Sequence, residues 1–348
     1  SEPTPPASEP VPHRRRPRYA GKNPRRFEDK YKEHDPARYG ETIAKVIASG
    51  KTPAGSHIPI LMDESLDALQ LAPGMTGVDA TLGYGGHAAR ILEKIAPDGK
   101  LIGLDLDPLE LPKTSARLRA MGFGGDRFEA VRSNYAGIAK VLAERGLAEV
   151  DFIFADLGCS SMQFDDPSRG FSFKSAGPLD MRMNPGRGLS AADWVAKTSA
   201  EKLETALHEH ADEPRAESLA LALAGRSFPD TLALARAIRE SVRVSDEDER
   251  ELTVRRVFQA VRIAVNEEFT ALDAFLRVLP KCLKPGARAA LLTFHSGEDR
   301  RVKQSMKVGV RDGIYSEMSD GPITASPEER RLNPRSSSAK LRWVTRSA

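Results

Sequence analysis

Three glycines within four positions, Gly83-Tyr84-Gly85-Gly86, separate a short apolar run ending at Val78-Asp79-Ala80 from an amphipathic stretch, Ala88 to Ile95. Strand, glycine turn, helix is how a nucleotide-binding α/β unit begins. The turn needs positive φ, and the ligand must lie against bare backbone, which glycine alone permits cheaply. About twenty residues further on, Leu101-Ile102-Gly103-Leu104 reads as a second strand ending at Asp105. A carboxylate at that point can accept both hydroxyls of an adenosine ribose.

The loop by itself leaves two cofactors open. Gly83-Tyr84-Gly85-Gly86-His87-Ala88 fits the loose dinucleotide pattern G-x-G-x-x-A, so a nicotinamide-dependent Rossmann oxidoreductase is compatible with it. Two details favour S-adenosylmethionine (SAM). Asp79 precedes the glycines on the strand, where an acid faces the methionine end, and Asp156-Leu157-Gly158 closes another apolar strand, Phe152 to Ala155. Asp79, Asp105 and Asp156 then stand at three strand ends, which line the ligand crevice of an open parallel sheet.

The alternation continues in order: a helix at Met62 to Leu69, one at Leu109 to Met121, a strand at Phe128 to Val131, and Asn134-Tyr135 opening a helix with Ile138, Val141 and Leu142. Right-handed crossovers turn this βαβ pattern into a doubly wound, mostly parallel sheet. Residues 51–164 are thus the first part of a Rossmann-like core. From 165 to 262 no strand pattern survives, and an inserted helical domain is expected beside the crevice, where it would shape substrate choice. Helices are expected at Trp194 to Leu207, Glu217 to Leu223 and Thr231 to Val242, with Thr231 as N-cap. The 3/4 spacing from Val254 to Leu279 predicts one long helix from about Leu252, with Arg255, Arg256 and Arg262 off its buried stripe, solvated or meeting phosphate. Residues 263–348 complete the core, with a turn at Lys284-Pro285-Gly286, a strand from Ala287 to Phe294, His295 at its end, and an antiparallel edge strand from Ala339 to Thr345.

The first 50 residues differ in composition. From Pro12 to Arg26 there are seven Arg or Lys and no acid, a solvated tail or a phosphate-binding arm. Residues 27–50 read as an accessory helix with Tyr39, Ile43, Val46 and Ile47 on one side. Two cysteines, Cys159 and Cys282, make neither a disulfide framework nor a metal cluster, so no metal is expected and the thiols point to a reducing, cytoplasmic setting. No apolar run reaches the length of a membrane helix. Oligomeric state, including a homodimer, is left open.

Longer motifs narrow the reading. They are His57-Ile58-Pro59-Ile60-Leu61, the glycine run from Asp79 to His87, Asp105-Leu106-Asp107-Pro108, and the stretch from Asp156-Leu157-Gly158-Cys159-Ser160-Ser161-Met162-Gln163-Phe164 through Arg169-Gly170-Phe171-Ser172-Phe173. Gly177-Pro178-Leu179-Asp180-Met181-Arg182-Met183, Phe258-Gln259-Ala260-Val261-Arg262-Ile263-Ala264-Val265-Asn266, Phe294-His295-Ser296-Gly297-Glu298-Asp299-Arg300 and Asn333-Pro334-Arg335-Ser336 follow. With these the chain resembles the RsmH (MraW) type of SAM-dependent ribosomal RNA small-subunit cytosine-N4 methyltransferase, from about residue 57 to its end.

The resemblance implies a class I methyltransferase fold, SAM as donor with S-adenosylhomocysteine as product, and a cytidine in the decoding region of small-subunit ribosomal RNA as acceptor. Free RNA or an assembling small subunit would serve as partner. By motif match Gly85, Gly86, His87, Asp105, Tyr135, Asp156 and Gln163 contact the cofactor, beside Asp79 and Gly83 of the same run. Asp156 and His295 are the candidate catalytic groups, as acceptors beside the amine. Arg169, Arg182, Arg187, Arg335, Lys340 and Arg342 are candidates to hold the RNA backbone. The chain departs from the pattern at Gly297 (usually Leu), at Cys159 (usually Val), at His210-Ala211-Asp212-Glu213 (usually Tyr-Gly-Glu-Glu) and in its first 50 residues, which are extra. Gly297 keeps a third reading open, a non-catalytic RNA-binding assembly factor.

Overall fold

The protein is described by a computed structural model over residues 59–348. The basic arm and the helix expected before residue 50 lie outside the described residues.

A seven-stranded sheet runs in the order β3-β2-β1-β4-β5-β7-β6. Its first five strands are parallel: β1 (Thr76–Asp79), β2 (Lys100–Asp105), β3 (Phe128–Arg132), β4 (Val150–Asp156) and β5 (Leu283–Thr293). Their carboxyl ends carry Asp79, Asp105 and Asp156 to one rim. Strands β6 (Tyr315–Met318) and β7 (Lys340–Arg346) are antiparallel. The last strand is therefore not the edge expected above. It lies between β5 and β6, and the true edge, Tyr-Ser-Glu-Met, is too short and polar to show as a strand in the sequence.

Helices cover both faces, so the strands are buried on both sides and read as near-continuous apolar runs. Phe152 and Phe154 point to a face packed by Leu61, Leu69, Ile91 and Leu92, with α1 (Met62–Leu69) and α2 (Gly86–Lys94). Ile153 and Ala155 point to the other face, against Ile138, Phe275, Leu276 and Val302. The Phe152 ring lies flat over Gly77, where a Cβ would come within 2.3 Å of it. Truncating Phe152, fully buried, to Ala would cost about 3–5 kcal/mol.

Between β4 and β5 the chain makes helices with their own core of Leu203, Leu207, Leu219, Leu234, Ile238, Val254, Val257 and Val261. They are α6 (Ala191–Lys197), α7 (Ala200–Ala211), α8 (Ala216–Leu223), α9 (Thr231–Ser241) and α10 (Glu247–Asn266), after α3 (Leu111–Ala120), α4 (Ile138–Ala143) and the short α5 (Ser161–Asp165). Three details correct the sequence reading. The helix expected from Trp194 to Leu207 is two, because Ser199 accepts from the Lys202 N–H and restarts the chain. The N-cap of α9 is Asp230, whose carboxylate accepts from the Ala233 N–H, while the Thr231 hydroxyl donates to the Ser175 carbonyl. The long helix breaks at Glu267 (φ 52°), and α11 (Glu268–Val278) follows. Asn266 sets that break: its amide donates to the Met181 carbonyl and accepts from the Met183 N–H, tying the helix end to the chain leading into the insert.

That leading segment is unusually tight. A Cβ on Gly170 would lie 2.1 Å from the Pro178 carbonyl oxygen, and one on Gly177 would lie 1.9 Å from that of Pro167. Two glycines let backbone pack on backbone there.

Candidate active site

One cavity of about 600 Å³ opens at the carboxyl rim of the sheet. Asp79, Gly83, Gly85, Gly86, His87, Asp105, Tyr135, Asp156, Gln163 and His295 all line it, so the structure brings together every cofactor and catalytic candidate named from the sequence.

The glycine loop is held from below. Gly83 and Gly85 take positive φ (48° and 81°), and Gly85 is the N-cap of α2. The Gly83 N–H donates to Asp105 Oδ2 at 2.8 Å, and the Asp107 N–H donates to Oδ1 at 2.8 Å. Asp105 thus fixes the loop, and each oxygen of this cavity-lining carboxylate keeps acceptor capacity beyond that one bond. From α3, the Thr114 hydroxyl donates to the Gly83 carbonyl (2.6 Å), and Arg117 donates to the Tyr84 carbonyl and stacks over the Tyr84 ring at 3.5 Å. Neither Thr114 nor Arg117 was found from the sequence, since contacts across some thirty residues leave no local pattern.

The three acids are electrostatically unsettled. Burial pushes the Asp79 carboxyl up to about 7, against a bond from the Thr81 N–H, with Asp105 adding repulsion. Burial likewise raises Asp105 to about 6. Asp156 rises to about 8, from burial first and then the charges of Asp79 and Glu298, although 31% of its side chain is open to the cavity. A cation brought beside such carboxyls would favour their ionised form. A sulfonium and an ammonium on an adenosyl group supply that, and the free lone pairs of Asp105 suit a ribose diol, so the residues fit SAM.

His87 is buried, with Nε2 3.1 Å from the Ile60 carbonyl and Nδ1 3.6 Å from Asp156 Oδ2, its ring tilted on Phe154. Tyr135 opens the turn before α4 and donates its hydroxyl to the Glu268 carbonyl at 3.4 Å, with its ring edge-on to Phe275. Burial raises its pKa well above the ordinary value, so it stays a neutral donor. Gln163 lines the cavity, completes a capping box with Ser160 at the start of α5, and donates from Nε2 to Asp107 at 2.9 Å.

His295 is the N-cap of α12 (Ser296–Arg311). Its Nδ1 accepts from the Glu298 N–H at 3.4 Å. Its Nε2 lies 3.1 Å from Glu298 Oε1, close enough for attraction but not aligned as a hydrogen bond. Both ring nitrogens thus face Glu298, whose own carboxyl stays below the ordinary value because His295, Arg262 and the Phe294 N–H outweigh its burial.

Most of the basic residues expected to meet RNA backbone do something else. Arg169 is buried and donates to Asp107 (2.8 Å) and to the Arg182 and Met183 carbonyls, joining the end of β2 to the insert's leading segment. Arg342 is buried on Asp299 (2.7 Å), with Lys340 at 3.3 Å from the same carboxylate. Arg182 pairs with Asp180 and Arg335 with Asp165. Only Arg187 of that group is exposed with no ion pair among the described residues. Arg262, expected off the buried stripe, is also buried: it pairs with Glu268 at 2.9 and 3.0 Å.

A doubly wound sheet with acids on three strand ends and a clamped glycine loop defines a class I SAM-dependent methyltransferase. The model of the MraW methylase family matches residues 54–347, and the chain belongs to that family. It is 47% identical over 348 residues to Ribosomal RNA small subunit methyltransferase H 1 of Lachnoclostridium phytofermentans, covering 97% of this chain and 94% of that protein. The protein of the same name from Agathobacter rectalis is 46% identical over 349 residues, covering 98% and 99%. Such coverage takes in the N-terminal residues, so the extension judged extra above is shared with these relatives. Ribosomal RNA small subunit methyltransferase H of Symbiobacterium thermophilum, 39% identical over 309 residues, covers 83% of this chain and 96% of its own length.

Proposed function

We propose that this enzyme transfers a methyl group from SAM to N4 of a cytidine in the decoding region of small-subunit ribosomal RNA, free or in an assembling subunit. One observation carries the reading: side chains of two unlike kinds line one cavity. Asp79, Asp105 and Asp156 come from the strand ends, and Phe171, Phe173, Phe258 and Arg262 come from the insert and the segment leading to it. Carboxylates suit a cationic donor, and aromatic faces with a guanidinium suit an unstacked base. The printed names of the relatives support the RNA class.

SAM, when bound, supplies an electrophilic methyl group. What remains for the protein is alignment and proton handling. Cytosine N4 is a weak nucleophile because its lone pair is delocalised, so an acceptor at the amine favours pyramidalisation and takes up developing positive charge. Asp156, which ends β4 and lines the cavity, is the candidate acceptor, and Thr81 Oγ1 accepts from its N–H at 2.5 Å. His295, turned to Glu298, positions the start of α12 beside the loop after Asp156. Asp105, steadied by the Gly83 N–H, would take the ribose hydroxyls, and the cavity-lining Tyr135 would offer its ring to the adenine. The purified protein, incubated with SAM and small-subunit ribosomal RNA, is expected to yield one N4-methylated cytidine on nuclease digestion and mass spectrometry. Methylation of another base, or of a cytidine elsewhere than N4, refutes the assignment.

A further inference from the structure

Arg262 is the one guanidinium both buried and on the insert's side of the cavity wall, among the described residues. Its Nε and Nη2 are fixed by Glu268 at 2.9 and 3.0 Å, two parallel bonds that lock the planar group. Nη1 faces away from Glu268 and donates to the Cys159 thiol at 3.2 Å. Sulfur is a weak acceptor, so that bond is readily exchanged for a stronger one. Cys159 stands three residues beyond Asp156, on the loop leaving β4, and Phe258 lies one helical turn before Arg262 on the same cavity wall. A locked donor, an aromatic face and a carboxyl acceptor therefore border one space.

Resting on the proposed cytidine reaction, we infer that Arg262 reads the carbonyl oxygen O2 of the acceptor base through Nη1, and so separates cytosine from adenine. The chemistry of the two bases makes this the useful contact. Both present an exocyclic amine that Asp156 would accept from, but only cytosine has a carbonyl along the same edge. When the base binds, Nη1 leaves the thiol for O2, and Glu268 keeps the guanidinium in place. Adenine would leave Nη1 on its weak thiol acceptor and forgo the charge-assisted bond that cytosine gains. Arg262 would touch the substrate and not the methyl donor.

The test crosses a change in the protein with a change in one substrate atom. Arg262→Met alone would strand Glu268 unpaired, so the variant is Arg262→Met with Glu268→Gln, checked for folding by its melting curve. Substrates are transcripts carrying cytidine, 2-thiocytidine or adenosine at the position that the wild type methylates. For the wild type, 2-thiocytidine is expected to lower kcat/KM about tenfold or more, and the double variant should lose about ten- to a hundredfold on cytidine. In the variant the sulfur substitution should have no further effect, because the donor it weakens is gone. SAM affinity should be unchanged and adenosine should gain relative to cytidine. Independent, multiplying effects overturn the inference, as does a weakened SAM affinity, which would put Arg262 on the cofactor. A wild type inactive on cytidine would instead refute the proposed function itself.

Discussion

At the scale of single residues, the site is governed by carboxyls that burial pushes toward the protonated form. Asp79 at about 7 and Asp156 at about 8 lie far above the ordinary carboxylate value of 3.8. Between that value and about 8 the folded chain holds more protons than the unfolded one. Stability of the ligand-free enzyme therefore falls as pH rises through this window and levels off above it. A bound cation reverses the penalty by favouring the ionised forms, so SAM affinity rises with pH over the same range and binding releases protons. Scanning calorimetry from pH 6 to 9 should show the free enzyme's melting temperature falling while the shift produced by SAM grows. A SAM-induced shift that is constant with pH would mean that these acids do not meet the cofactor's positive charge.

Among the elements, α12 carries the chain's clearest departure from its family pattern. A Cβ at Gly297 would lie 2.5 Å from Phe269 Cζ, and that ring cannot easily move, packed on His295 at 5.7 Å and under Arg301 at 3.8 Å. Phe269 fills the room that a leucine at 297 would use, so the glycine is a repacking and gives no ground for reading the protein as inactive. Gly297→Leu is expected to destabilise by about 1–3 kcal/mol, and adding Phe269→Leu should recover much of it; denaturant unfolding checks both. The same elements show what a sequence discloses. Strands β1 to β4 were legible to within about two residues because both faces are buried and the apolar runs are continuous. The break at Glu267 was not, because the apolar spacing runs through it from Val261 to Leu272, and what ends α10 is a bond from Asn266 to residues over eighty positions away. The site followed the same division. Acids at strand ends could be placed from pattern, whereas the ion pairs that bury Arg169, Arg262 and Arg342 depend on partners brought in by the fold.

Over the whole molecule, the helical insert and the sheet domain meet through specific polar ties. Arg169 links Asp107 at the rim of β2 to the segment that leads into the insert, and Asp212 at the end of α7 receives Ser296 and both Nη groups of Arg300 from α12. Because α10 buries Val257 and Val261 in the insert's core while Arg262 lines the cavity, folding of the insert completes the cavity wall. The arrangement makes one demand: the adenosyl cofactor lies against the strand-end acids and leaves the insert's aromatic side chains free. A crystal structure of the enzyme with S-adenosylhomocysteine tests this most directly. The account predicts the ribose hydroxyls on Asp105, the sulfur between Asp79 and Asp156, and open space before Phe258 and Arg262. A ligand lying across the insert's side, with Asp105 still bound only to the Gly83 and Asp107 N–H groups, would contradict it.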